Sequence, residues 1–383
     1  MTMLSISAPK IFDGTAWHEG QAVLIENGRV KSLVRIDDVP AEARRIDLDH
    51  GMLAPGFVDL QVNGAGGVLF NEDRSVEGLR KLCAANFQFG TTALLPTLVT
   101  DTREVTRSAL DAGVAAHKQK VPGFAGLHIE GPHLSVARKG AHNPGFIRPM
   151  DEADLTALAE AGQAMPALLT TVAIESVGPD QIARLVQAGV TVSLGHSDTG
   201  IAGAVTGFGA GASMVTHLFN AMSQLGNREP GLVGAALANG VWAGLIADGI
   251  HVDPATIAIA LRAKTGPGKI FLVTDAMSPM GTDMTGFALN GREIVRADGA
   301  LRLADGTLAG ADLTMIDAVT YMHRTIGLDL DEVLRMASLY PAQAVGLADT
   351  MGHLGAGAAA SLVHLSDTLD VSGVWVEGEK AFG

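Results

Sequence analysis

Eight times between Leu53 and Ile326 a short apolar run that reads as a strand gives way to a segment with helical spacing. The strand-like runs are Leu53–Val62, Thr92–Leu98, Phe124–Ile129, Leu168–Ile174, Val190–Leu194, Ser213–His217, Trp242–Ala247 and Lys269–Thr274. Helical segments such as Val76–Phe89, Thr102–His117, Glu152–Ala161 and Asp180–Ala188 alternate with them, and the last, Leu313–Ile326, follows a turn-rich insertion from Gly281 to Ala309. Helix starts are marked: Asp101 and Glu104 have the spacing of a capping box, Asp151 can cap its helix, and Asp253-Pro254 places a cap before a proline at the first helical position. Regular strand–helix alternation implies parallel strands, because parallel pairing needs a long crossover. Eight units is the count of a (β/α)8 barrel. A doubly wound open sheet is the other solution, but it would carry a Gly-x-Gly-x-x-Gly turn after its first strand, and none is there.

The two ends of the chain do not follow this rhythm. Ala22–Ile25 and Val30–Ile36 flank Asn27-Gly28, a strong hairpin signal. Further β-like runs lie at Ala360–Leu365 and Val371–Val376. Neither end is large enough to be stable alone, so they are expected to pair into one small β-sandwich, residues 1–52 with 355–383, leaving 53–354 as the barrel. The insertion 281–309 is expected to form a hairpin or lid.

Composition narrows the function. Hydrophobic residues make up 47%, with 47 glycines, which fits a globular chain rich in tight turns. No apolar run approaches the length of a membrane span, and MTMLSISAPK lacks a basic segment followed by a long apolar one, so the expected compartment is the cytoplasm. A single cysteine, Cys83, excludes an intramolecular disulfide and a cysteine-rich zinc site. A net charge of −14 argues against a nucleic-acid partner, and means that an anionic ligand must be met by local cations.

In a barrel of this kind, polar residues at the carboxyl ends of the strands face the active site. The third run ends in Glu130 before Gly131-Pro132, which cannot continue a ladder. The fifth ends at His196, the sixth at His217, the seventh leads to His251 and the eighth to Asp275. One such residue is commonplace; five at equivalent positions converge on one axis. Glu130, His196 and His217 make a carboxylate–imidazole–imidazole set for one divalent metal ion with a position left open for water. Zinc suits it best, and iron, manganese or cobalt are compatible. Asp275 is placed as general base and then acid, and His251 to donate to the carbonyl oxygen under attack or to the substrate.

The segments PGFVDLQVNGAGG, HIEGPHLS with KGAHNP, LGHSD, THLFNAMSQLGNREPG, DGIHVDP, VTDAM and LAGADLTM together resemble the N-acetylglucosamine-6-phosphate deacetylases of the amidohydrolase superfamily, from about Pro55 to Gly346. The resemblance implies hydrolysis of a phosphorylated amino sugar to acetate and the free amine, in amino-sugar catabolism and cell-wall sugar recycling. It also implies substrate contacts at Ala141, His142, Asn220, Ala221, Arg228, His251, Leu308, Ala309 and Gly310, with Arg228 on the phosphate because a guanidinium fork fits its oxygens. A homodimer is implied, in which a neighbouring subunit can complete the phosphate pocket. Many superfamily members carry His-x-His at the first strand end for a second metal; Gln61-Val62-Asn63 stands there instead, a pattern that resembles the single-metal branch. The galactosamine epimer, a two-metal dihydroorotase-like or dipeptidase-like amidohydrolase, and a non-catalytic sugar-phosphate sensor are the alternatives. The amides at 61 and 63 count against the second of these, and Asp275 with all three ligands counts against the third.

Overall fold

The computed structural model describes residues 3–383. Its centre is an eight-stranded parallel sheet: β1 (Phe57–Val62), β2 (Thr91–Val99), β3 (Leu127–Glu130), β4 (Leu168–Val172), β5 (Thr191–Leu194), β6 (Met214–Val215), β7 (Trp242–Leu245) and β8 (Ile270–Leu272), each paired with the next in order. Helices cover the outside, so the strands are buried on both faces and read as continuous apolar runs. The barrel closes just beyond the last ladder residues. Asp275 N–H donates to the Gln61 carbonyl at 2.9 Å and Asn63 N–H to the Ala276 carbonyl at 2.8 Å. The fold is the expected (β/α)8 barrel with a small β domain beside it.

That second unit mixes both chain ends. A six-stranded sheet runs in the order Glu379–Phe382, Val371–Val376, Leu362–Leu365, Met52–Pro55, Lys10–Phe12, Trp17–Glu19. It faces a four-stranded sheet of Met3–Ser7, Gln21–Glu26, Arg29–Arg35 and Arg44–Asp47. Ile6, Ile11, Val23, Leu53, Leu362 and Trp375 fill the space between. Asn27 and Gly28 both adopt positive φ, 54° and 74°, as the tight hairpin turn requires.

Four expectations change in detail. Leu53–Val62 is not one strand: Met52–Pro55 pairs with Leu362–Leu365 in the small sheet, and β1 begins after Gly56. A side chain at Gly56 would put its Cβ 2.1 Å from Thr92 Oγ1, so the chain turns there with nothing between the layers. The helix Arg103–Lys118 is capped by Thr102, whose hydroxyl accepts from Val105 N–H. Asp101 is taken up elsewhere, accepting from Asn71 Nδ2 at 2.9 Å and Thr102 N–H at 2.8 Å. Met315–Arg324 is not the last helix, because Leu330–Ala337 and Leu339–Ala344 follow and bury Val333, Leu334, Met336 and Ala342. The insertion forms an antiparallel sheet of four strands, Gly286–Leu289, Arg292–Ala297, Ala300–Leu303 and Leu308–Ala311. Its apolar face, Leu289, Ile294, Leu301 and Ala309, packs on Leu69, Val99 and Met277 and roofs the carboxyl end of the barrel. Among the described residues no helix is long and apolar enough to cross a membrane.

Candidate active site

A cavity of about 500 Å³ opens at the carboxyl end of the barrel under the insertion sheet. Glu130 closes β3; His196 and His217 each stand two residues beyond β5 and β6, and Asp275 three beyond β8. The last three adopt left-handed backbone, with φ of 47°, 29° and 51°. Non-glycine residues rarely do so, and such conformations gather where the fold forces a side chain toward a site. At Asp275 the force is visible: its N–H is held by Gln61 and its carbonyl accepts from Ala311 N–H at 2.8 Å. Gly310, with φ of 66°, lets this second strand approach, since a Cβ there would lie 2.8 Å from the Asp275 carbonyl oxygen.

Glu130 Oε1 lies 3.0 Å from His217 Nε2 and 3.2 Å from His196 Nε2, and the two imidazole nitrogens are 3.1 Å apart. His196 Nδ1 is 2.8 Å from the Arg138 carbonyl, which can only accept. Nδ1 therefore carries the proton and Nε2 turns a lone pair on its neighbours. Lone pairs and a carboxylate brought this close repel unless positive charge sits among them. Three atoms so spaced can all reach one cation at the roughly 2.0–2.2 Å of zinc–nitrogen and zinc–oxygen bonds. The set thus fits a divalent ion. His142 stands at its edge: Glu130, His142 and His196 each offer a ligand atom within 4.8 Å of the others. Thr100 Oγ1 holds His142 Nδ1 at 2.7 Å.

Electrostatics follow the same geometry. Burial would raise Glu130, but its hydrogen bonds with His196 and His217 outweigh that and hold the carboxyl well below its usual value. Burial would lower His217, and the adjoining Glu130 carboxylate reverses the sign. Burial, then the Glu130 charge, pushes Asp275 up to about 6. Beneath it Asp59 is pushed up to about 7 by burial, although Thr274 donates to it.

Gln61 and Asn63 do something the sequence did not reveal. Asn63 Nδ2 donates to Asp275 Oδ1 at 2.6 Å, and Gln61 Nε2 donates both to the same oxygen and to Glu130 Oε1, each at 3.1 Å. The amides turn donors toward the carboxylates, and Asn63 Oδ1 is buried with no hydrogen-bond partner among the described residues. They fix Asp275 through Oδ1, while Oδ2 has no partner among the described residues. His251 is held likewise, its Nδ1 2.6 Å from Asp248 Oδ2, which leaves Nε2 for a ligand. The signals were local: period two puts residues 61 and 63 on one face of a strand end, and Asp248-x-x-His251 fits a turn.

Of the residues expected at the site, Glu130, His196, His217, Asp275, His251, Ala141, His142, Asn220, Ala221, Leu308, Ala309 and Gly310 all line this cavity. Arg228 does not. It is exposed on the loop after Ala221 and forms no ion pair or hydrogen bond among the described residues; Glu229 beside it accepts from Ile201 and Gly231 N–H. Arg302 and Thr307, which the sequence reading did not single out, line the cavity from the insertion sheet.

The model of the amidohydrolase family matches residues 52–381, the barrel and the strands of the small domain that follow it. The chain belongs to the amidohydrolase family. Among curated amidohydrolase relatives, an N-acetylgalactosamine-6-phosphate deacetylase from Shewanella sp. is 44% identical over 336 residues, 88% of this chain and 84% of that one. An N-acetylglucosamine-6-phosphate deacetylase from Haemophilus influenzae is 34% identical over 364 residues, 94% of each. The solved N-acetylglucosamine-6-phosphate deacetylase of Pasteurella multocida superposes with a TM-score of 0.95 at 35% identity, covering all of both chains. The family resemblance read from the motifs is thereby established for the amidohydrolase chain as a whole.

Proposed function

We propose that this amidohydrolase removes the N-acetyl group of an N-acetylhexosamine 6-phosphate, N-acetyl-D-glucosamine 6-phosphate first, releasing acetate and the amino sugar 6-phosphate. The observation that carries the reading is Asp275, tied through Oδ1 and free at Oδ2, beside the Glu130–His196–His217 cluster. One divalent ion, zinc by the chemistry of the set, would be held by those three residues. When bound it supplies Lewis acidity, acidifying a water molecule and polarising the amide carbonyl. Asp275 Oδ2 takes the water's proton and returns it to the nitrogen as the C–N bond breaks, so water and amide become acetate and amine. Asn63 and Gln61 keep that oxygen aimed. His251, braced by Asp248, meets the substrate through Nε2. The insertion sheet limits access of bulk water.

The same reading takes the protein as a cytoplasmic homodimer of amino-sugar catabolism and cell-wall sugar recycling. In such a dimer the unpaired Arg228 would serve the phosphate of a neighbouring subunit's substrate. The galactosamine epimer is the second reading, favoured by the relative at 44% identity. Acetate release measured on both 6-phosphorylated epimers tests the proposal: turnover of either sustains the reaction class and their ratio gives the epimer, whereas no release from both overturns it.

One prediction isolates the strut. Asn63→Ala removes a hydrogen bond to a charged group, an interaction worth roughly 1.5–3 kcal/mol, so kcat should fall by about 10- to 100-fold. KM should stay within about threefold, because Asn63 holds Asp275 and not the substrate. Steady-state kinetics check it, and a rise in KM with kcat unchanged would assign Asn63 to binding instead.

A further inference from the structure

We propose that Asn290 and Arg292, at the first hairpin of the insertion sheet, are positioning residues that latch this roof over the cavity and set His142 within it. The inference rests on the functional reading above, with His142 among the substrate contacts that the family resemblance implies. At one edge the sheet is tied into the barrel backbone: its last strand, Leu308–Ala311, donates from Ala311 N–H to the Asp275 carbonyl at 2.8 Å. The first hairpin lies at the opposite edge, where side chains do the holding.

Leu289 pairs with Arg292 across a two-residue turn in which Asn290 and Gly291 both take positive φ, 49° and 72°. Opposed residues share a face of a sheet, as do residues two apart on a strand, so Arg292 points to the barrel with Leu289 and Ile294. A guanidinium on an apolar face is costly unless it is held. Arg292 enters no ion pair among the described residues; its Nη2 donates to the Ala141 carbonyl, and its Nε is buried without a partner. Asn290 Nδ2 donates to the Thr100 carbonyl at 3.1 Å. The two acceptors flank one side chain. Ala141 immediately precedes His142, and Thr100 Oγ1 lies 2.7 Å from His142 Nδ1. That hydroxyl gives its only proton to the Glu130 carbonyl at 3.3 Å, so it accepts from His142, which fixes the imidazole proton on Nδ1 and the lone pair on Nε2. Both hydrogen bonds of the hairpin thus end on the segments that aim His142 into the cavity, which Leu289 also lines.

The test uses Arg292→Ala, Arg292→Lys and Asn290→Ala, each alone and combined with His142→Ala. Acetate release is measured on both 6-phosphorylated epimers, and hydrogen exchange by mass spectrometry on the same full-length proteins. Arg292→Ala removes a hydrogen bond from a charged donor and should lower kcat/KM by about 10- to 100-fold, with Lys restoring part of it. Asn290→Ala removes a neutral one and should cost about 3- to 10-fold, which keeps the test open if Arg292→Ala does not fold. In the His142→Ala background the same substitutions should cost less than about threefold, because the group they position is gone. The His142 N–H, which donates to the Lys139 carbonyl at 2.9 Å, should exchange at least about 10-fold faster in Arg292→Ala, while strand Leu168–Val172 stays as protected as in the parent. Losses that simply add to that of His142→Ala, unchanged exchange at His142, or exchange that quickens equally in the barrel strands would overturn the assignment. If the parent protein releases no acetate, the deacetylase reading falls and exchange alone decides: faster at His142 in Arg292→Ala sustains the latch, and an equal rate removes it.

Discussion

Asp275→Asn is expected to lower kcat by roughly 10²- to 10⁴-fold, the usual worth of a general acid–base group, while the protein keeps its metal and its affinity for substrate. The substitution preserves shape, and a side-chain carbonyl in place of Oδ1 can still accept from Asn63 and Gln61. What is lost is the second oxygen, the one free to take a proton and return it, since an amide does neither. Metal content and turnover measured on one preparation decide the role. Activity lost with the ion retained supports the base; activity and ion lost together would make Asp275 a ligand. Asp275 stands apart from the three-atom contact of Glu130, His196 and His217, which predicts the first outcome.

Glu130→Gln should have the opposite signature. Glu130 Oε1 is the atom that both imidazoles face, and it is the only carboxylate in the three-residue set. Without its charge two neutral imidazoles remain, and loss of a charged ligand from a buried site should weaken retention of a divalent ion by at least about 100-fold, taking acetate release down with it. Elemental analysis after gel filtration reads the loss directly. Full metal content with activity gone would move Glu130 from ligand to catalytic group. The pair of variants thus separates holding the ion from moving the proton, which neither does alone.

Much of this was legible in the sequence, for identifiable reasons. Barrel strands are buried on both faces, so Leu168–Val172 or Ile270–Leu272 stand out as apolar runs between glycines and polar turns. The strand-end residues were legible because the fold makes position along a strand equivalent to height in the barrel. Non-local effects were not legible. Met52–Val62 is a near-continuous apolar run, and only its pairing with Leu362–Leu365, some 300 residues away, divides it at Gly56. Asp101 and Thr102 are both competent caps, and the demand of Asn71 on Asp101 assigns the task to Thr102. Gln61 and Asn63 read as weak ligands because residue type alone does not say which end of an amide faces inward. Arg228 was named through the resemblance, which carries positions and not the cavity they line, and Arg302 lies on the insertion, whose place over the barrel is non-local.

At the centre of the proposed reaction is a single cation that Glu130, His196 and His217 would hold. Its most direct measurement is the number of tightly bound divalent equivalents per chain in purified protein, taken together with acetate release before chelation, after chelation, and after the ion is restored. About one equivalent is predicted, with activity disappearing as it is stripped and returning as it is replaced. Two tight equivalents, or undiminished acetate release from metal-free protein, would contradict it.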